Sequence, residues 1–496
     1  MRVTTRFGLA LSLALGGLVH GGASARAQTP IAVGDRFPLD VVAAPDLPNP
    51  VRRQSEARAA SCGDTRLVVF RDLPIRYDTP VAPDDTLVAV RIRASDGAIL
   101  GGTRIPLGAK DFANVTFDVG ASASTYLIAF SSDGETVEGV RIRASDGSLL
   151  DSSPFTIGFH ATSLPDEVTI ASDGTSFLVA WTDFRNPSVT PTGANPDVFM
   201  NLVTSAGTVP DSSGKALANG LDHQYAPHLV WDGTSYVVVF GFEAGGSSSP
   251  SLRARRVSAS GSATGSVVTV GTPYAYRFGA DLAVGGGRIA LVHGAASTAT
   301  SPSITISLLG SDLAPVGSPI VVASTGYTRS GPDVAWNGSG FVTTWYTSGS
   351  SDRTDAQPWA VRFTSTGTLV DSARVALGPV VPYPEAHLFD DPPAFDGAIV
   401  ALTGSRWLVA HPYFDTTTAT STYRMGAQLV DAAFPTTTPG VDAGTGGGSG
   451  GGGGGGVIVC SASPGAHGGP GATAWLVLVA ALGLRGMRRL RGPGRA

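Results

Sequence analysis

Along this chain, short apolar runs alternate with glycine-containing turns, and no stretch of 28–440 keeps a helical period. One unit recurs: a short apolar run, a tight turn, then a run of aliphatic and aromatic residues. It reads IASDGTSFLVAW at 170–181, LVWDGTSYVVVF at 229–240, LAVGGGRIALVH at 282–293, VAWNGSGFVTTW at 334–345 and VALTGSRWLVAH at 400–411. Degenerate copies end at Phe70 and Phe130, making seven copies spaced by 51–66 residues. Pairs such as Asp232-Gly233 and Asn337-Gly338 suit two-residue hairpins, whose central positions need positive φ. The run after each turn reads as a strand buried on both faces. A third strand follows, as at 88–93 or 361–364, then a second tight turn and a fourth strand. The octapeptide VRIRASDG, at 90–97 and again fifty residues later at 140–147, spans one such third strand and its turn.

Four antiparallel strands per unit, repeated seven times, predict an all-β, seven-bladed β-propeller. An open array or a pair of β-sandwiches is the alternative. After the third strand at 426–431 the chain runs into glycine-rich sequence, while 34–43 (GDRFPLDVVA) is an orphan strand before copy one. The N-terminal segment is therefore expected to complete the last blade, which removes an exposed edge. The first-to-second and third-to-fourth turns are short. The second-to-third connections (182–196, 241–251, 346–358) and the fourth-to-first connections are long, and both sets emerge on one face of an up-and-down blade. That face is the expected working surface.

Composition adds bounds. The chain has 496 residues, 65 Gly, 34 Pro and only 15% charged residues, as suits many short strands joined by turns. A net charge of −5 gives no basic field for nucleic acid. Two cysteines, Cys62 and Cys460, exclude a disulfide framework and a cysteine-based zinc site. Cys62, aligned with Trp336, reads as a buried packing residue. No G-x-S-x-G, H-E-x-x-H, P-loop or dinucleotide fingerprint occurs.

Both ends read as targeting segments. Residues 1–27 have Arg2 and Arg6, an apolar stretch and Ala25-Arg26-Ala27, the pattern of a secretory signal peptide. The propeller is then 28–440 and a flexible Gly-rich linker 441–459. Over 460–496, Cys460 is followed by an apolar stretch at 472–484, expected as a short C-terminal hydrophobic helix, and by an arginine cluster. Linker, lone cysteine, apolar helix and arginines together resemble the MYXO-CTERM sorting tag of myxobacterial surface proteins. The resemblance covers about residues 445–496. It implies processing near Cys460, lipid attachment there, and delivery to the outer surface. Its apolar segment is shorter than in that family, and an uncleaved anchor is the alternative.

Candidate chemistry clusters at two levels. Aligning the copies places Asp118, Thr169, His228, Asp281, Asp333 and Ile399 at one equivalent position, at the mouth-side start of the inner strands. Three carboxylates and a histidine there suit a cation such as Ca²⁺ or acid–base work; the same residues also serve as solvated strand starts or as caps for backbone N–H groups. No other cofactor is expected. Above them, the long connections carry Phe112, His160, His223, Tyr225, Tyr274, Tyr276, Arg277, Tyr327, Arg329, Tyr383 and His387. Aromatics with arginine and histidine suit stacking on sugars or gripping a protein, and such rings also pack blade against blade. The predicted ligand set is Asp118, His228, Asp281, Asp333, Tyr276, Arg277, Tyr327 and Arg329. The expected function is that of a monomeric, envelope-attached module binding carbohydrate or protein, with the membrane engaged through the tail. A secreted polysaccharide hydrolase or lyase using the channel-mouth carboxylates is one alternative; a non-catalytic structural envelope protein is the other. No catalytic residue is assigned, because no complete catalytic set can be assembled.

Overall fold

The computed structural model describes residues 30–434, except 40–50, 76–85, 107–115, 132–134, 162–164, 188–193, 245–249, 273–278, 296–302, 324–326, 329–330, 349–354, 383–396 and 416–421, together with 462–463. These residues form a seven-bladed propeller of antiparallel blades and contain no helix. The expected C-terminal helix, the signal segment and Cys460 lie outside the described residues. Blade 1 is built from Val51–Cys62, Thr65–Ile75, Thr86–Arg93 and Ile99–Pro106, paired in that order. The inner strands of blades 2 to 5 are Phe117–Ala121, Asp166–Ser172, His223–Trp231 and Ala280–Gly285. Those of blades 6 and 7 include Asp333–Trp336 and Ala398–Ala401. Blade 6 departs from the pattern: its outer position is filled by two short pieces, Val375–Ala376 and Val381–Pro382.

The tight turns follow from their residues. Asp173, Asp232 and Asn337 each accept two backbone N–H groups across the first hairpin through Oδ1, at 2.7–3.1 Å. The glycine after each has φ of +91°, +98° and +94°.

The N-terminal strand closes the ring. Ala32–Pro38 pairs antiparallel with Thr422–Asp431, the third strand of the blade that contains Trp407. The strand starts two residues earlier than expected and ends at Pro38, although Leu39 N–H still donates to Met425 O at 2.9 Å. The core is correspondingly divided into apolar layers between successive blades, one at each of the seven junctions. The layer joining blade 7 to blade 1 packs Phe70 and Val88 against Leu408 and Met425. Each blade buries both faces because it is flanked by two others, which is why the second strands read as continuous apolar runs.

The VRIRASDG repeat has a mechanical explanation. One third-strand position in each blade reaches onto the chain that leaves the third strand of the next blade; in blades 1 to 6 that chain is the third-to-fourth turn. Arg91 donates to the carbonyls of Ala144 and Ser145, Arg141 to Ser205, Arg256 to Ser311 and Arg362 to Ala433. Leu202, Leu308 and Leu429 occupy the same position in blades 3, 5 and 7. The turn glycine under the rivet has positive φ (+81° at Gly97, +80° at Gly147, +83° at Gly207) and no room for a side chain. A Cβ on Gly147 would stand 2.5 Å from Arg91 Nε, and one on Gly97 2.6 Å from Leu429 Cδ2. The contact of Leu429 with Gly97 carries the sequence of rivets from blade 7 back to blade 1. The tight-turn face is thus locked blade to blade.

Candidate functional site

The aligned inner-strand residues form a ring around the channel. The ring position lies opposite the residue that precedes the buried aromatic or histidine of the second strand. Thr169, His228, Asp281 and Asp333 pair there with Ala180, Val239, Val292 and Thr344, and Asp118 with Ala129. Two corrections to the alignment follow. In blade 7 the position is held by Ala398, opposite Ala410, and not by Ile399. The first turn of that blade contains one more residue, Leu402 N–H closing on Arg406 O, so counting back a fixed distance falls one residue short. In blade 1 the position is Arg58, opposite Val69, which sequence reasoning omitted. Arg58 lies twelve positions before Phe70, the same spacing as Asp118 to Phe130, so the signal was present. By the same register Cys62 aligns with Asn337 rather than Trp336; it is buried, and its thiol donates to Ser122 O at 3.0 Å.

The ring is buried, and two of its carboxylates have a defined task. Asp118 Oδ1 accepts Val119 N–H and its Oδ2 accepts Ile170 N–H of blade 3, both at 2.8 Å. Asp281 repeats the pattern, accepting Leu282 N–H at 2.7 Å and Val334 N–H of blade 6 at 2.6 Å. Among the described residues, the inner strands of blades 2 to 7 have no strand partner on the channel side, so their channel-facing N–H groups need another acceptor. These aspartates supply it for their own blade and the next. Burial pushes Asp118 up to about 7 against the pull of Arg58 and the two N–H donors. Burial, with Asp333 and Asp118 as negative neighbours, holds Asp281 well above the usual carboxylate range. Burial, assisted by Arg58, drops His228 to about 3, so it is neutral at physiological pH. Residues of blades 1, 2, 4, 5 and 6 therefore sense one another across the channel.

A second cluster, not anticipated from the sequence, lies toward the long-connection face. Two positions before the ring, Glu56, Glu167, Ala226 and Gly279 have φ of +49°, +52°, +48° and +60°. The inner strands of blades 1, 3 and 4 carry a bulge there. A left-handed conformation at non-glycine residues costs about 1–3 kcal/mol each and persists only where the surroundings impose it. Glu167 Oε2 accepts the Thr182 hydroxyl at 2.5 Å and Ala226 N–H of blade 4 at 2.7 Å. Glu56 meets Arg71 at 3.3 Å. Beside them Asp166 accepts Glu167 N–H at 2.8 Å, and burial, with Glu56 as a negative neighbour, raises it to about 6 against hydrogen bonds from Glu167 and Thr116. Only the bulge brings these carboxylates together, and no local sequence signal announces one.

Of the residues expected on the connections, Phe112, Tyr274, Tyr276, Arg277, Arg329, Tyr383 and His387 lie outside the described residues, and for Tyr327 only the strand backbone is described. His223 and Tyr225 stand at the start of the blade 4 inner strand, where Tyr225 covers Gly241. Asp183 and Arg185 pair at 2.5 Å, as their spacing suggests, and Asp183 also accepts Trp181 Nε1 at 2.9 Å. Among the described residues, no three His, Cys, Asp or Glu side chains stand together as a metal-binding group. A cleft of about 410 Å³ opens on the other face, between the turns of blades 1 and 2, lined by Cys62, Thr65, Ser124, Arg143 and Leu150. Asp64 also lines it, and its arginine is paired with Asp146 at 3.1 Å.

No protein-family model and no curated protein matches the chain. Among solved structures it is similar to an α-L-arabinofuranosidase from Lactobacillus brevis, at 13% identity over 54% of this chain and 95% of that one, TM-score 0.35. It is also similar to the Aleuria aurantia lectin AAL, at 12% identity over 67% and 97%, TM-score 0.37. It spans about half (47%) of a prolyl endopeptidase, at 14% identity over 76% of this chain, TM-score 0.38. At such values the likeness concerns fold alone, and the blade count and ring closure rest on the strand pairing itself.

Proposed function

We propose that this protein is a binding module carried outside the cell, held at the envelope by its C-terminal tail, which takes carbohydrate or protein on the long-connection face. One observation supports this reading above others: the two ends of the channel are unlike. The tight-turn end is riveted blade to blade, whereas the opposite mouth gathers Glu56, Arg71, Asp166 and Glu167 at strained inner-strand bulges. In sequence, Tyr276, Arg277, Tyr327 and Arg329 fall on the connections that lead into the inner strands of blades 5 and 6, and aromatic and guanidinium groups suit stacking on a sugar ring. The ring residues Asp118, His228, Asp281 and Asp333 form the floor beneath it, where a Ca²⁺ ion is an added prospect.

A specific observation favours a second reading, hydrolysis of a polysaccharide. Asp166, raised to about 6 chiefly by burial, stands beside Glu56, so two carboxyl groups of unlike surroundings share one neighbourhood, the pairing of groups that glycosidic cleavage uses.

The secreted protein, applied to a glycan array and incubated in parallel with polysaccharides, separates the two. Retention on the array, weakened at least about tenfold (about 1.4 kcal/mol) by Asp166→Asn or by Tyr276→Ala, is the expected result. Release of reducing ends without retention replaces binding by hydrolysis. Neither signal, with no captured protein partner, refutes both. Cell fractionation tests the location: loss of envelope association in a Cys460→Ala variant is expected, and unchanged association would exclude a role for that cysteine.

A further inference from the structure

Blade 4 carries two arginines that the scaffold does not account for. In its third strand, Ser251–Val257, Leu252 and Ala254 pack into the apolar layer toward blade 5, so Arg253 and Arg255 project toward blade 3. They stand opposite Phe240 and Val238, which belong to the layer between blades 3 and 4. Both are half-buried, and two positions apart on one face they are neighbours at about 7 Å along the strand. Arg255 gives one hydrogen bond, to Leu217 O of blade 3 at 2.7 Å, while Arg253 lies over the Phe242 ring at 3.1 Å. The Nε of each is buried without an acceptor. Among the described residues, no carboxylate forms an ion pair with either. Burial holds the Arg253 guanidinium below the usual arginine range, and Asp222 opposes this only from beyond ion-pair distance.

The other blades supply the comparison. The Arg253 position, opposite the second-strand aromatic or histidine, is held elsewhere by Val88, Glu138, Phe199, Thr305, Trp359 and Gly426. Two residues on, the Arg255 position holds valine, asparagine, serine or glutamine. No other blade has a cation at either place, so the pair is no requirement of the fold. A stacked arginine of blade 3 shows the structural alternative: Arg185, over Phe199 at 3.9 Å, has its own carboxylate in Asp183 at 2.5 Å.

We propose that Arg253 and Arg255 form an anion-binding site at the seam of blades 3 and 4, which takes the carboxylate or sulfate groups of an acidic polysaccharide. A guanidinium matches such oxyanions with paired N–H donors, and two of them spaced along a strand suit a ligand whose charges repeat along a chain. Gln224 favours a sugar over a bare anion. It stands opposite Phe242, on the same face, and its Nε2 donates to Asp222 O at 2.8 Å. That leaves its Oε1, buried and without a donor, for a ligand hydroxyl. Nucleic acid requires a broader basic field than two arginines in a chain of net charge −5. Arg253 lies just past the 241–251 connection, two strands out from the channel. The site is therefore separate from the channel mouth and stands whichever ligand the mouth takes.

Electrophoretic retention of the full-length protein in gels containing polygalacturonate, dextran sulfate or neutral dextran tests it. Retention by at least one polyanion and not by dextran is expected, weakened about tenfold or more by Arg253→Gln, which breaks no hydrogen bond, and by Arg255→Gln. Arg36→Gln, which removes the same charge from an exposed arginine stacked on Tyr413 of blade 7, is expected to change nothing. Stronger retention by polygalacturonate assigns a carboxylate ligand, and stronger retention by dextran sulfate a sulfate. The inference is overturned by no retention on either polyanion, by unchanged retention in Arg253→Gln, or by equal weakening in Arg36→Gln, because general charge would then suffice. Retention by double-stranded DNA as strong as by the polysaccharides overturns the assignment to a sugar. Neutral glycans held at the mouth, read through Tyr276→Ala, report on the mouth alone, so the two readings fail separately.

Discussion

At the scale of single residues, the buried charges of the channel act on backbone. Asp281 joins two blades through two short N–H contacts, at 2.7 and 2.6 Å. Replacing it with alanine leaves both donors buried without an acceptor, at about 1–3 kcal/mol each, partly offset by removal of a buried carboxyl. Asp281→Ala is expected to lower stability by about 2–4 kcal/mol, read as the midpoint of urea unfolding, whereas Asp281→Asn keeps one acceptor oxygen and loses less. The histidines impose a pH dependence of definite sign. His228, at about 3, and His293 and His411, also lowered chiefly by burial, bind protons more readily unfolded than folded. Their contribution is complete above the unfolded value of about 6.5 and is lost as pH falls below it. Asp118, raised to about 7, and Asp166, raised to about 6, work in the opposite direction: each favours the folded state at low pH and loses that advantage as pH rises from about 4 toward its folded value. A His228→Gln variant should therefore lose less stability than the parent between pH 6.5 and 4, and an identical acid profile for the two would contradict the assignment.

At the scale of elements, the recurring unit is a rivet. Arginine or leucine occupies one third-strand position in every blade; Arg91, Arg141, Leu202, Leu308 and Leu429 rest on a turn glycine of the next blade, while Arg256 and Arg362 reach the carbonyls of Ser311 and Ala433. Arg91 gives its hydrogen bonds to carbonyls, so its main service is to cover Gly147. Since Leu202, Leu308 and Leu429 serve in the same place, Arg91→Leu is expected to change stability by less than about 1 kcal/mol. Gly147→Ala combines a strained φ with a Cβ forced against Arg91, and is expected to lower stability by about 2–3 kcal/mol. Thermal unfolding of the two variants side by side checks both, and equal losses would show that the turn glycine is not the critical partner. The rivet also accounts for the octapeptide repeat, whose spacing drew attention although its purpose was not readable. VRIRASDG displays the arginine of one blade and the glycine that receives the side chain of the blade before it, Leu429 on Gly97 and Arg91 on Gly147, so the partners are never adjacent in the chain.

At the scale of the molecule, stability depends on closing the circle. Seven apolar layers lie between blades, and the seventh requires blade 7 to be complete. The strand Ala32–Pro38 provides that completion and covers the edge of Thr422–Asp431. Deleting 30–39 is expected to lower the unfolding temperature by several degrees and to produce self-association through the bared edge, measurable by light scattering. A deletion variant that stays monomeric with unchanged melting would mean that the ring is held by the other junctions alone.

The sequence by itself determined the number of blades, the strand order within each, the identity of the closing strand and most of the ring, because these depend on period, turn chemistry and counting along the chain. Asp118, His228, Asp281 and Asp333 were legible for that reason, and Ile399 was misplaced because one extra turn residue breaks the count. What those residues do was decided only by the tertiary structure. Whether a carboxylate awaits a ligand or holds a neighbouring strand depends on which N–H group lies beside it, and that group comes from a blade some fifty residues further on. The gathering of Glu56, Asp166 and Glu167 depended equally on the ring, since three-dimensional closure, together with a bulge that no residue pattern marks, brings blades 1 and 3 to one mouth.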